Sequence, residues 1–313
     1  VNILITGGAG FIGRTLQEKL CELGNRITIL DKKEPFSIKS GLAAYIQSDI
    51  CYQEKTLSIF ESYQFDGVIH LAAVSRVVEA ENNPQECERV NIGGVYSLLN
   101  SIERSGQKPW LIFGSSREVY GEAINLPVKE NAQKMAVNIY GETKIKGETL
   151  FLEFSKKYNL NCAITRFSNV YGNRYDIFDR VIPRFIRAIV SERTLTIEGG
   201  EQLIDFTHID DNVNGIVKII NYLDKQDNVH EDFHLCPGIG WSLYDVIKFI
   251  EKATGKKAKT KINLKRNYDV VKFVGDTRKI KKTLGLKDFI SLESGINQCI
   301  NEYCIDLQME ATI

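Results

Sequence analysis

Through the first half of the chain, short β-branched runs alternate with stretches whose apolar residues recur every three or four positions. A run of four to six apolar residues suits a strand buried on both faces, and the helical recurrence suits an element that covers it. On this pattern strands are expected at Val1–Thr6, Arg26–Leu30, Ala44–Gln47, Gly67–Leu71, Trp110–Phe113 and Cys162–Arg166. Helices are expected between them at Phe11–Gly24, Lys55–Tyr63, Gln85–Ser105 and Ile139–Tyr158. Gly24-Asn25 supplies a stop for the first helix, and Pro84 an opener for the third. Such alternation predicts an α/β fold, a parallel sheet flanked by helices.

After Arg166 the rhythm changes. Longer irregular stretches separate a helix at Val181–Ser191, strands at Leu195–Ile197 and Leu203–Thr207, and helices at Asp211–Tyr222, Ser242–Thr254 and Ser291–Leu307. Ser242 stands as an N-cap. We expect residues 1–166 to form the sheet domain, with later segments returning to it. Residues 167–313 should build mainly a smaller lobe over the carboxyl edge, where open α/β sheets bind ligands. Neither internal repeats nor low-complexity segments interrupt this plan.

Composition changes the picture little. The 313 residues are 43% hydrophobic and 26% charged, as in ordinary globular proteins. A net charge of zero argues against general nucleic-acid binding. Residues 255–287 nevertheless hold twelve Lys or Arg against Asp269 and Asp276, a solvated basic face whose Arg266 region is a candidate for meeting an anion. Seven cysteines, with no C-x-x-C pair, read as reduced and largely buried thiols of a cytoplasmic protein. His70, His208, His230 and His234 lack metal-ligand spacing, so no metal is expected; His230 and His234 flank a strand entrance. No apolar stretch reaches the ~20 residues of a membrane span, and no signal peptide is visible.

Chemistry enters at two places. Gly7-Gly8-Ala9-Gly10-Phe11-Ile12-Gly13 follows the first strand and opens the first helix, the context in which a glycine turn cradles a dinucleotide pyrophosphate. Eighteen residues after Gly13, at the end of the second strand, Asp31 can accept hydrogen bonds from a ribose diol and repel a 2′-phosphate, which favours NAD over NADP. Asp49-Ile50 and Leu71-Ala72-Ala73 end the third and fourth strands, where they could contact adenine and the middle of the cofactor. The second place is Tyr140-Gly-Glu-Thr-Lys144. Four residues apart on a helix, the phenol and the ammonium share one face, so the cation can lower the phenol pKa. Bringing a Tyr from ~10 to about 7 requires roughly 4 kcal/mol, which Lys144 and the positive ring of an oxidised nicotinamide could supply together.

With these segments in place the chain resembles the extended short-chain dehydrogenases/reductases of the nucleotide-sugar epimerase/dehydratase type. The likeness runs over nearly the whole length, through Gly7–Gly13, Asp49-Ile50, His70–Ala73, Asn91, Ser115–Gly121, Tyr140–Lys144, Arg166–Gly172 and Asp205–Asp211. It implies a Rossmann-type, doubly wound, NAD-binding domain with a C-terminal nucleotide-sugar lobe, and a homodimer joined through the helices at 85–105 and 139–158. By position it implies Tyr140 as the base on the sugar C4 hydroxyl, Ser116 as its hydrogen-bonding partner, and Lys144 on the nicotinamide ribose. Asn91 falls among the cofactor residues, and Ser75, Arg76, Asn169, Arg180 and Arg266 are substrate-side candidates.

Two departures from the family pattern bear on the reaction. Ile204 stands where an Arg usually meets the substrate diphosphate, which throws that task onto Arg266, helix N-termini, Arg76 or Arg180. Arg117-Glu118 follows Ser116, where 4,6-dehydratases of the family place Asp-Glu. An Arg cannot serve as the acid of an elimination. The resulting expectation is C4 epimerisation of a nucleotide-diphospho-sugar through a 4-keto intermediate. The alternatives are a 4,6-dehydratase or decarboxylase that uses Glu118, and a catalytically silent NAD-binding regulator.

Overall fold

The β-branched runs pair as a seven-stranded, wholly parallel sheet in a computed structural model that describes residues 1–38 and 40–310, the last seven of these as helix backbone only. Its strands are β1 (Asn2–Thr6), β2 (Arg26–Asp31), β3 (Ala43–Gln47), β4 (Gly67–His70), β5 (Trp110–Ser116), β6 (Cys162–Phe167) and, far along the chain, β10 (His230–Leu235). The order is β10-β6-β5-β4-β1-β2-β3, so successive connections run outward from β1 in opposite directions. That reversal between β1 and β4 opens a crevice at their carboxyl ends. The chain is therefore a Rossmann-like α/β protein.

Helices α1 (Phe11–Glu22), α2 (Gln53–Ser62), α3 (Val77–Asn82), α4 (Pro84–Glu88), α5 (Gly94–Ser105) and α6 (Ile139–Tyr158) flank the sheet. One apolar core lies on each face, with Ile3, Ile5, Ile27 and Ile29 on one side and Leu4, Leu30, Val68 and Leu111 on the other. This is the period-two alternation of strands covered on both sides. The helix expected at Gln85–Ser105 is interrupted by a wider π-type turn at Arg89–Gly93. Gly94 explains the close approach there, because a Cβ on it would lie 2.7 Å from Ile50.

The lobe contains β7 (Asn169–Tyr171), α7 (Val181–Val190), β8 (Thr194–Glu198), β9 (Leu203–His208), α9 (Leu243–Thr254) and α11 (Leu292–Glu310), whose apolar faces close a third core around Phe185, Ile197, Phe206 and Ile250. Ser242 and Asp245 form a reciprocal capping box at the start of α9. The intervening α8 (Ile209–Leu223) and β10, with α10 (Arg278–Leu284), go back to the large sheet. Short strands β11 (Gly240–Trp241), β12 (Lys259–Asn263) and β13 (Lys272–Phe273) complete the lobe sheets.

Several elements differ from the sequence expectation. His230 opens β10 and His234 lies inside it, buried against the Tyr120 hydroxyl at 2.7 Å. Burial and the Arg166 charge push its pKa down to about 4, so this imidazole is neutral. All five residues of β12 are exposed, and only its pairing with β8 makes Lys-Thr-Lys-Ile-Asn a strand. Cys21, Cys87, Cys162, Cys236 and Cys299 are buried free thiols and Cys51 is half-buried; Cys304 falls outside the described side chains. Among the described residues no helix is long and apolar enough to cross a membrane.

Candidate active site

The glycine turn is shaped by contacts that exclude a side chain. Gly7 has φ +75°, and a Cβ there would lie 2.5 Å from the Ala72 amide nitrogen. A Cβ on Gly13 would lie 2.6 Å from the Gly7 carbonyl. Gly10 caps α1 without a side-chain hydrogen bond, so amides of the first helical turn remain for an anion. At the end of β2, Asp31 Oδ2 accepts the Ala9 amide at 2.9 Å and Oδ1 accepts that of Lys33 at 3.0 Å. The carboxylate thus fixes the turn it faces and keeps further lone pairs for a ribose diol. These features fit a dinucleotide.

A cavity of about 400 Å³ runs from this turn to the lobe. Gly7, Gly10, Phe11, Ile12, Gly13, Leu71 and Ala73 line its sheet end, and Ser75, Arg76, Ser116, Arg117, Glu118, Tyr140 and Lys144 its middle. Asn169, Arg180, Arg184, Ile204 and Arg266 line the lobe side. The fold thus brings Ser116, Tyr140 and Lys144 together from β5 and α6. Asp31, Asp49, Ile50, Ala72 and Asn91 are outside this lining. Asp49 accepts from Arg89 at 2.8 Å and from the Cys51 amide, and Ile50 packs in the core. Asn91 is buried, clamping both the amide and carbonyl of Val74 and donating to Thr143 at 2.9 Å.

Ser116 ends β5 and caps the 3-10 turn Arg117–Tyr120, its hydroxyl accepting the Glu118 amide at 3.2 Å. Asn138 caps α6 and so fixes the turn that carries Tyr140. Gly141 decides how closely these two turns meet: a Cβ there would lie 2.6 Å from the Glu118 carbonyl. The glycine after the tyrosine is what lets the start of α6 pack against the turn that follows Ser116.

The electrostatics depart from expectation. Lys144 is buried, donates to the Gly114 carbonyl at 2.8 Å and lies 5.7 Å from the Tyr140 ring centroid. Burial lowers its pKa to about 8. Tyr140 is pushed up, not down, from the ordinary phenol value, because its burial outweighs the influence of the nearby Ser116 hydroxyl and the charge of Arg180. The protein by itself keeps this phenol protonated. Further stabilisation of the phenolate has to arrive with the ligands.

Glu118, a candidate base, is held on both oxygens. Oε1 lies 3.1 Å from Arg117 Nη2, and Oε2 accepts from Asn138 Nδ2 at 2.7 Å. On the lobe side, Arg76 pairs with Asp179 at 2.5 Å and Arg266 with Asp269 at 2.8 Å. Arg180 stands 3.8 Å from Asp176, whose burial pushes its carboxyl up to about 7. Arg184 and Asp176 were not among the sequence candidates. Arg184 sits inside the amphipathic pattern of α7, where only its place in the cavity distinguishes it from a surface arginine.

Residues 3–235 match the pattern described as the NAD dependent epimerase/dehydratase family, most of the chain. The protein belongs to that family. A UDP-glucose 4-epimerase of Halalkalibacterium halodurans is 28% identical over 318 residues, covering 96% of this chain and 94% of that one. The crystal structure of a UDP-glucose 4-epimerase from Thermotoga maritima with UDP-glucose superimposes with a TM-score of 0.90 at 29% identity, over 98% of this chain and 100% of that one. A UDP-glucuronic acid 4-epimerase from Bacillus cereus, in complex with UDP-glucuronic acid and NAD, gives 0.88 at 27% identity over 99% and 100%. The family is NAD-dependent, and in this chain the glycine turn and Asp31 are the residues suited to the cofactor.

Asp31 offers a direct check. Asp31→Ala is expected to weaken NAD about 10–100-fold, the effect of losing hydrogen bonds to a charged group. It should also narrow the preference over NADP. Titration of both cofactors against wild type and variant tests this, and a wild-type preference for NADP would refute the assignment.

Proposed function

We propose that the protein interconverts the C4 epimers of a nucleotide-diphospho-sugar, UDP-hexoses being the first candidates from its relatives. The observation that carries this reading is that Ser116, Tyr140 and Lys144 line one long cavity together, with Lys144 buried and held on the Gly114 carbonyl. Bound NAD would accept the hydride from C4, return it, and bring a positive charge into the site. Tyr140 takes the C4 hydroxyl proton and gives it back after the ketone has turned over. Ser116 holds the reacting oxygen, and Lys144 orients the cofactor ribose while opposing protonation of the phenol. Arg266 and Asn169 hold the nucleotide side, while Ser75, Arg76 and Arg180 face the sugar.

The dehydratase alternative retains one supporting feature, since Glu118 borders the cavity. Against it, Arg117 occupies the acid's place, and both Glu118 oxygens serve Arg117 and Asn138. In this reading Glu118 positions the start of α6. Incubation of the purified protein with UDP-glucose and UDP-glucuronate in D2O, followed by NMR, decides between them. Epimerisation gives the C4 isomer with hydrogen retained at C5; deuterium at C5 or a stable 4-ketone means elimination. Glu118→Gln should keep epimerase activity within about tenfold, below the ~10²–10⁴-fold expected for a general acid or base. No turnover with either sugar nucleotide, or with a wider panel, would leave the NAD-binding regulator.

We also propose a cytoplasmic homodimer. The outer faces of α5 and α6 support it: Tyr96 is 58% exposed, and Glu142, Lys146, Thr149 and Glu153 form a polar stripe along α6. Sedimentation of wild type against Tyr96→Glu reads the association.

A further inference from the structure

The lobe side of the cavity contains a crowding of like charge. Arg184, one turn into α7, and Arg266, on the segment before β13, line the same cavity. Arg184 is half-buried, whereas Arg266 is exposed at the cavity's edge. Arg266 has a partner, because Asp269 takes its Nε at 2.8 Å. Arg184 is differently placed. Its Nε is buried with no hydrogen-bond partner among the described residues. Glu198 and Asp179 are the acidic groups that face it, and neither closes to an ion pair; Glu198 instead accepts from Asn263 at 3.2 Å. Burial first, and then the charge of Arg266, push the Arg184 pKa down.

A buried guanidinium N–H without an acceptor is costly, and a second positive charge lining the same cavity adds to that cost. The arrangement is relieved by an anion large enough to meet both forks. Ile204 lines the same cavity at 6% exposure and contributes no charge where the family pattern has an arginine. Arg184 lines the same space from α7, a position from which it can supply the positive charge lost at 204.

We infer that Arg184 and Arg266 form a two-arginine clamp for the diphosphate of the nucleotide substrate, with Arg184 standing in for the side chain absent at Ile204. The inference rests on the nucleotide-sugar reading above and adds a binding residue to it. A single phosphoryl group can satisfy one fork; two linked groups can satisfy both. The clamp therefore discriminates nucleoside diphosphates from monophosphates.

Calorimetric titration with UDP, dTDP, GDP and CDP, and with the matching monophosphates, tests it on the NAD-loaded protein. Wild type should prefer one diphosphate to its monophosphate by at least about tenfold. Arg184→Met, which keeps the aliphatic bulk, should weaken that diphosphate about 10–100-fold, the range of a charged hydrogen bond. It should weaken the monophosphate less than about threefold and leave NAD binding intact. Arg184→Lys should fall between, having charge without the fork. Unchanged diphosphate affinity in Arg184→Met, or equal losses for both ligands, overturns the clamp while leaving the nucleotide-sugar reading standing. Failure of wild type to bind any nucleoside diphosphate overturns that reading and the clamp with it. Should Arg184→Met not fold, the diphosphate-to-monophosphate ratio of Arg184→Lys decides: a reduced ratio supports the clamp, and a wild-type ratio refutes it.

Discussion

Tyr140→Phe is expected to lower turnover by about 10²–10⁴-fold, the usual worth of a positioned acid or base. The change removes one oxygen from a buried ring that packs with Ala80 and Cys87, so the fold and NAD affinity should persist. The pKa pattern sharpens the expectation. Burial holds the phenol protonated in the protein alone, and Lys144 hydrogen-bonds the Gly114 carbonyl rather than the phenol oxygen. Proton removal should therefore depend on the loaded site, and substrate-free enzyme should show no phenolate absorbance at neutral pH. Single-turnover absorbance of bound NADH separates loss of chemistry from loss of binding. A Tyr140→Phe enzyme that turns over at the wild-type rate would dispose of the mechanism.

Glu148→Ala should destabilise the protein by about 3–5 kcal/mol, the cost of leaving one member of a buried ion pair alone. Glu148 is fully buried on α6 and takes Arg166 Nε and Nη2 at 2.8 Å each, with the Ser115 hydroxyl at 2.6 Å and Lys134 at 2.5 Å. Arg166 is nearly as buried, and its Nη1 reaches the Tyr120 hydroxyl at 2.6 Å and Asp232 at 3.0 Å. Without Glu148 the guanidinium keeps only the Asp232 side of its pairing. With unfolding entropy near 2.1 cal/mol/K per residue, the loss corresponds to roughly 5–8 °C in melting temperature. The pair ties the helix that carries Tyr140 to β6, and the Ser115 hydroxyl ties the same carboxylate to β5, the strand that ends at Ser116. Activity per folded molecule should drop as well. A melting temperature within about 1 °C of wild type would show that the pair contributes little.

The ordering of strands and helices was legible because burial on both faces demands long apolar runs, and these survive in the sequence as a local pattern. Five of the six expected sheet strands keep their bounds to within a residue at each end, and α6 matches Ile139–Tyr158; β5 alone extends further, to Ser116. Elements made by pairing rather than pattern were not legible. β12 carries one apolar side chain in five residues and is a strand only because β8 lies beside it. β10 joins the large sheet from sixty-odd residues beyond β6, a placement set by the partner and not by its own composition.

The site divides in the same way. Sequence by itself determined the residue types, because a glycine turn after a strand and a Tyr four before a Lys are constrained by local backbone geometry alone. It therefore pointed to the family, with Gly7, Gly10, Gly13, Asp31, Ser116, Tyr140 and Lys144 as the candidates for its chemistry. Tertiary structure decided what each group can do, since burial and charge depend on neighbours distant in the chain. It placed Glu118 between Arg117 and Asn138, turned Asn91 inward onto Val74 and Thr143, and raised the Tyr140 pKa that spacing alone had suggested would fall. It also brought Arg184 beside Arg266 across eighty residues of sequence, an encounter no local pattern records. Proton affinity and charge pairing are fixed by desolvation and distance in space, and only the folded chain sets either.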